Sequence, residues 1–162
     1  MPEMTAAVLT VSDSAARGER QDLSGPAVKA ALEEKGFRVV KTAIVPDGRS
    51  EIEVAIMELC RWAQLVVTTG GTGIADRDVT PEATLSVCEH IVPGIGERMR
   101  SEGAKKTPLA ALSRGVCGVR AKTLVLNLPG SPTAAADSLA AVIDILPHAL
   151  ELLAGQTAHQ RS

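Results

Sequence analysis

Short apolar runs alternate along the chain with longer amphipathic stretches. Ala6 to Val11 (AAVLTV) is continuously apolar up to the polar Ser12-Asp13-Ser14 and predicts a buried strand. After a loop containing glycine and charges, Ser24-Gly25-Pro26 predicts a helix start, with Ser24 as N-cap and Pro26 in the first turn. That helix runs through VKAALEEK to a stop at Gly36. Phe37 to Val45 predicts a second strand, closed by the turn Pro46-Asp47-Gly48. Ser50 is the expected cap of a helix over EIEVAIMELCRWA, where Ile52, Ala55, Ile56, Leu59 and Ala63 recur at helical spacing. Leu65 to Thr69 (LVVTT) has the β-branched content of a third strand.

A long loop, GGTGIADRDVT, follows Thr69, and Pro81 opens a helix expected over EATLSVCEHI. Pro93-Gly94 ends it, and IGERMRSEGAKK predicts another short helix. Gly115 to Arg120 and Lys122 to Leu128 are spaced as a tight hairpin. Pro129-Gly130-Ser131-Pro132 then opens a last helix over AAADSLAAVIDILPHALELLA, which Pro147 should kink or interrupt, before a frayed tail GQTAHQRS. This order predicts an α/β fold, a three-layer α/β/α sandwich with a mostly parallel central sheet and a short C-terminal β-hairpin. The expected organisation is one domain over residues 1–162, with 1–5 and 155–162 as flexible ends. In such sheets ligands bind beyond the carboxyl ends of the strands, so the loops after Val11, Val45, Thr69 and Leu128 should gather at one edge.

Composition narrows the chemistry. With 45% hydrophobic residues but one Trp, one Phe and no Tyr, the core must be aliphatic, and stacking on successive bases is unavailable. A net charge of -2 gives no broad footprint for nucleic acid or an anionic membrane, and no apolar run has the length of a membrane span. Cys60, Cys88 and Cys117 form no CxxC pair and read as reduced, structural thiols of a cytoplasmic protein. His90, His148 and His159 are unclustered, His90 being placed at a helix end. Trp62 reads as packing, and Arg114 and Lys122 as part of a solvated face within reach of an anionic ligand.

Four loops carry candidate chemistry. Thr69-Gly70-Gly71-Thr72-Gly73 lets a backbone approach a phosphate closely and adds a hydroxyl donor, although a plain tight turn explains the same residues. It is neither a Walker A loop nor a dinucleotide fingerprint. In Asp76-Arg77-Asp78-Val79-Thr80-Pro81, a carboxylate beside a phosphate-binding loop calls for a hard cation such as Mg²⁺, while Asp78 and Thr80 equally suit capping at Pro81. Asp47 would supply a second carboxylate facing Asp78. Asn127 to Pro132 offers a second anion site through free amides and the Ser131 hydroxyl, or simply a helix cap. The loop from Ser12 to Gly25 adds Asp13, Arg17 and Ser24.

In this order, SDSAARGERQDLSGP, VPDG, TTGGTGIADRDVTPEAT, ALSRG and LNLPGSP resemble the MogA/MoaB family of molybdopterin-binding proteins, from Ala6 to about Leu153. The resemblance implies a molybdopterin adenylyltransferase of molybdenum cofactor biosynthesis that transfers AMP from Mg-ATP to the terminal phosphate of molybdopterin and releases pyrophosphate. It also implies Asp47 and Asp78 as essential carboxylates with Mg²⁺ near one or both, and Gly70, Gly71, Thr72 and Gly73 as the phosphate-cradling turn. Asp13, Thr80, Ser113, Pro129, Gly130 and Ser131 would contact or frame the substrates. Homotrimers or hexamers, and contacts with other molybdenum cofactor synthesis proteins, come with the family, as do relatives that bind the pterin without transferase activity.

Overall fold

A computed structural model describes residues 3–156. The described residues form six strands: β1 (Met4–Val11), β2 (Phe37–Val45), β3 (Leu65–Thr69), β4 (His90–Ile91), β5 (Cys117–Arg120) and β6 (Thr123–Leu128). They form one sheet in the order β2-β1-β3-β6-β5-β4. The first four in that order are parallel; β5 pairs antiparallel with β6, and β4 pairs antiparallel with β5. The helices are α1 (Asp13–Ala16), α2 (Ser24–Glu34), α3 (Arg49–Cys60), α4 (Thr80–Val87), α5 (Pro93–Ala104), α6 (Pro132–Val142) and α7 (Leu146–Leu153), with a short 3-10 helix at Pro108–Leu112.

The continuous apolar runs are explained by burial on both sheet faces. Along β1, Ala6 and Val8 join the core under α2, α6 and α7, while Ala7, Leu9 and Val11 join the core under α3 and α4. The same alternation sends Leu65 and Val67 one way and Val66 the other, and separates Leu124, Leu126 and Leu128 from Val125. This is the predicted three-layer α/β/α arrangement with a mostly parallel sheet and the β5–β6 hairpin.

Local boundaries differ in instructive ways. β1 takes in Met4 and Thr5, expected as part of a flexible end, because Thr5 pairs with Arg38 and exchanges two hydrogen bonds with Gln64, each 3.1 Å. Ser24 is the first residue of α2 rather than its cap; the Asp22 carboxylate accepts the Gly25 amide instead, at 3.0 Å. Likewise α3 starts from Gly48, with Ser50 already helical and no side-chain cap. The helix expected to run through His90 stops at Val87, and His90–Ile91 becomes an edge strand on β5. The last helix breaks at Ile143 to Ile145, just ahead of Pro147, which occupies the first turn of α7. Trp62 is about half exposed, beneath the Lys41 ammonium at 4.3 Å, rather than packed in the core. The expected fraying tail beyond Gln156, with His159, lies outside the described residues. No described helix is long and apolar enough to cross a membrane.

Candidate active site

The crossover from β1 to β2 runs to one side of β1 and the next strand, β3, lies on the other, so the sheet order reverses between β1 and β3. A crevice opens at such a reversal beyond the strands' carboxyl ends. Here it holds a cavity of about 340 Å³, lined by the ends of β1 and β3 and by the loops that follow β1, β2 and β6.

Three aspartates reach this cavity: Asp13 from α1 just after β1, Asp47 from the loop after β2 and Asp78 from the loop after the glycine turn. Asp13 and Asp47 fasten each other. The Asp13 amide donates to Asp47 Oδ2 at 3.0 Å, and the Asp47 amide donates to Asp13 Oδ1 at 2.8 Å. Burial pushes the Asp47 carboxyl above the usual carboxylate range; the Asp13 amide bond and Arg77 oppose that rise, while the charges of Asp13 and Asp78 reinforce it. Asp78 does not cap α4: its Oδ2 accepts the Ala75 amide at 3.0 Å, leaving the helix start without a side-chain cap. Among the described residues no three His, Cys, Asp or Glu side chains could hold a metal ion by themselves.

The glycine turn is braced from below. Gly70 has φ +103 and its amide donates to Leu128 O at 3.0 Å, so it contributes close approach rather than a spare donor. Thr69 Oγ1 donates to Pro129 O at 2.7 Å, and the buried Thr80 donates through Oγ1 to Gly70 O at 2.9 Å. Gly70 and Gly71 line the cavity; Thr72, Gly73 and Thr80 do not, and Thr72 and Thr80 are buried supports of the turn. Gly130 and Ser131 also line it, and Ser131 Oγ caps α6 by accepting the Ala134 amide at 3.1 Å.

Ser113 and Pro129 face a second cavity of about 200 Å³, whose wall includes Met99, Arg100, Leu109 and Asn127. Because Pro129 belongs to the second and Gly130 to the first, the strand-to-helix junction after β6 separates the two. Asn127 holds that junction from inside. Its side-chain amide donates to Thr68 Oγ1 (3.0 Å) and Thr84 Oγ1 (2.9 Å), and its Oδ1 accepts the Val116 amide (3.2 Å).

A family described as a probable molybdopterin binding domain matches residues 7–148. The chain belongs to this molybdopterin-binding family. A molybdopterin adenylyltransferase of Helicobacter pylori strain J99 is 44% identical over 152 residues, spanning 91% of this chain and 86% of that protein. The molybdopterin adenylyltransferase of Escherichia coli K12 is 38% identical over 165 residues, spanning 91% and 84%. The crystal structure of the molybdopterin biosynthesis enzyme MoaB from Thermus thermophilus has a TM-score of 0.88 at 48% identity, covering 94% of this chain and 97% of that one.

Within this member of the molybdopterin-binding family, the cavity also takes in Ser12, Asp22 and Arg77, which the sequence does not single out as site residues. Ser12 caps α1, accepting the Ala15 amide at 3.2 Å, although Ser-Asp-Ser after a strand could have announced it. Asp22 ties Thr10 Oγ1 (2.8 Å) to the start of α2. Arg77 and Arg17 also line the cavity, and Arg17 is paired with Glu19 at 3.0 Å.

The cysteines stand apart from this chemistry. All three are free, and burial pushes the thiols of Cys60 and Cys117 up to about 12 and that of Cys88 up to about 11. A raised thiol pKa lowers the thiolate fraction, the reactive form. Iodoacetamide at pH 8 is therefore expected to alkylate the native protein at least about 10-fold more slowly than the guanidinium-unfolded chain. Mass-spectrometric time courses check this, and one thiol reacting at the unfolded rate would contradict it.

Proposed function

We propose that this chain is a molybdopterin adenylyltransferase of molybdenum cofactor biosynthesis, moving AMP from Mg-ATP to the terminal phosphate of molybdopterin. The observation that carries the proposal is the convergence of Asp13, Asp47 and Asp78 with Gly70 and Gly71 on one cavity. Relatives named molybdopterin adenylyltransferase support this reading.

In this reaction a phosphate oxygen of molybdopterin attacks the α-phosphorus of ATP. The bond from that phosphorus to the bridging oxygen breaks, and pyrophosphate leaves with the bond's electron pair. A phosphate nucleophile is already deprotonated near neutral pH, so no protein base is needed. What remains for the protein is positioning and charge neutralisation. Asp47 and Asp78 would hold Mg²⁺, directly or through water, and Asp13 would fix Asp47 through their reciprocal hydrogen bonds. When bound, that ion would neutralise charge developing on the phosphate oxygens.

The glycine turn allows phosphate close to the backbone, with Thr72, Gly73 and Thr80 shaping it. On this reading the second cavity, with Ser113 and Pro129, would take the pterin, and Gly130 and Ser131, at the junction between the cavities, would meet the phosphate joining the two substrates. A cytoplasmic location and a homotrimer or hexamer belong to the same reading. The apolar groove beside Val54, Ala43 and Val45 is available surface for such an assembly, and other molybdenum cofactor synthesis proteins are the natural hand-over partners.

Incubating the protein with ATP, Mg²⁺ and molybdopterin should yield adenylylated molybdopterin and pyrophosphate in equal amounts, measured by chromatography and a coupled pyrophosphate assay. Tight pterin binding without pyrophosphate release would instead assign a non-catalytic binding role. Chelation of Mg²⁺ should stop the transfer.

A further inference from the structure

Arg114, which sequence alone puts on a solvated face, is built into the back of the Asp78 loop. Its main-chain amide donates to Thr72 O at 2.8 Å. Its guanidinium donates from Nε to Gly73 O at 2.8 Å and from Nη2 to Asp78 O at 2.7 Å. The remaining contacts run to the Glu82 carboxylate, from Nη1 at 2.6 Å and from Nη2 at 3.3 Å. Glu82 sits in the first turn of α4, and this partner holds its carboxyl below the usual range.

One side chain thus pins the loop near its beginning at Gly73, at Asp78 itself, and at the helix that follows. Arg114 does not line the nucleotide-side cavity, so its guanidinium works through the loop. Only a planar fork with several fixed donors can meet two carbonyls and a carboxylate at once; a lysine ammonium is a single point of charge on a flexible stem. The Arg114 guanidinium holds the Asp78 main chain, while the Asp78 carboxylate accepts the Ala75 amide within the same loop. Without the fork, nothing in that pair ties the loop to the rest of the fold.

We propose that Arg114 is a positioning residue for Asp78, its guanidinium setting where the Asp78 carboxylate stands in the cavity. The consequence for turnover rests on the adenylyl-transfer reading; the consequence for loop order does not. A displacement on the order of 1 Å at a reacting centre costs about 100-fold in rate.

The test compares Arg114→Gln, Arg114→Lys and Glu82→Gln with the wild-type protein, reading kcat and KM for both substrates and the exchange rate of the Ala75 amide by NMR. Arg114→Gln is expected to lower kcat about 100-fold while each KM stays within about 3-fold. Arg114→Lys should recover less than about a tenth of wild-type kcat, because charge alone does not restore the two carbonyl bonds. Glu82→Gln, which leaves both carbonyl bonds in place, should keep at least about a third. Ala75 exchange should rise about 10-fold or more in the two Arg114 variants, with the amide of Val67 in β3 unchanged.

Wild-type kcat in Arg114→Gln, full rescue by lysine, or a raised pterin KM at unchanged kcat would each overturn the proposal. So would faster exchange at Ala75 and Val67 together, which marks general loosening. If Arg114→Gln does not fold, Arg114→Lys and the exchange measurement decide alone. If the wild-type protein transfers no AMP, the functional reading falls, and the Ala75 exchange still judges the positioning role.

Discussion

Asp78→Asn is expected to lower kcat for AMP transfer by on the order of 1,000-fold while leaving the melting temperature and the affinity for molybdopterin close to wild type. The substitution removes a charge and keeps the shape. An asparagine carbonyl can still accept the Ala75 amide that Asp78 Oδ2 now accepts at 3.0 Å, and the main-chain oxygen of residue 78 still takes the Arg114 guanidinium. Loop geometry should therefore survive, and loss of turnover reports on the missing negative charge toward a phosphate-bound cation. Ser113 and Pro129 lie in the neighbouring cavity, beyond the β6–α6 junction, so on the proposed assignment of the pterin to that cavity its binding should be insulated from the change. Single-turnover assays with and without excess Mg²⁺, beside equilibrium binding of the pterin, separate the outcomes. Normal turnover would reduce Asp78 to a loop fastener. Equal loss of pterin binding would make it structural.

That Asp47 and Asp78 share a cavity was legible from sequence because both lie in loops that leave the carboxyl ends of strands, and parallel strands deliver those ends to one edge. Apolar runs that alternate between two cores gave the sheet and both helical layers in the same way. Features that depend on single hydrogen bonds were not legible. DLSGP contains two good caps, and only tertiary packing decides that Asp22, already holding Thr10, takes the Gly25 amide instead of Ser24. Four-residue α1 and two-residue β4 are too short for any period to show; β4 exists because the flanking Glu89 and Val92 amides find the carbonyls of Val119 and Cys117. Arg114 looks like any other surface arginine in the chain. Its role arises from carbonyls contributed some 40 residues away, at Gly73 and Asp78.

The glycine turn makes a prediction about stability that distinguishes packing from conformation. Gly70 and Gly36 both have positive φ, +103 and +90. A Cβ added at Gly70 would lie 2.2 Å from Val11 O and 3.3 Å from its carbonyl carbon, whereas nothing lies within 4 Å at Gly36. Gly36→Ala should therefore lose only the left-handed backbone penalty, about 1 kcal/mol, or roughly 2–4 °C in melting temperature for a chain of this size. Gly70→Ala adds a collision with main chain that cannot rotate away, because Val11 is paired into the β1–β2 ladder and the Gly70 amide is bonded to Leu128. Strain and overpacking together should cost about 3 kcal/mol, or roughly 6–12 °C. Calorimetry on the two variants measures the difference directly, and equal losses would mean that the approach of Gly70 to β1 is not tight in solution. Since relief of the clash must push β1 and β3 apart at the edge where Asp13 and Gly71 stand, the Gly70 variant should also lose most AMP transfer at temperatures where it remains folded, while Gly36→Ala keeps it.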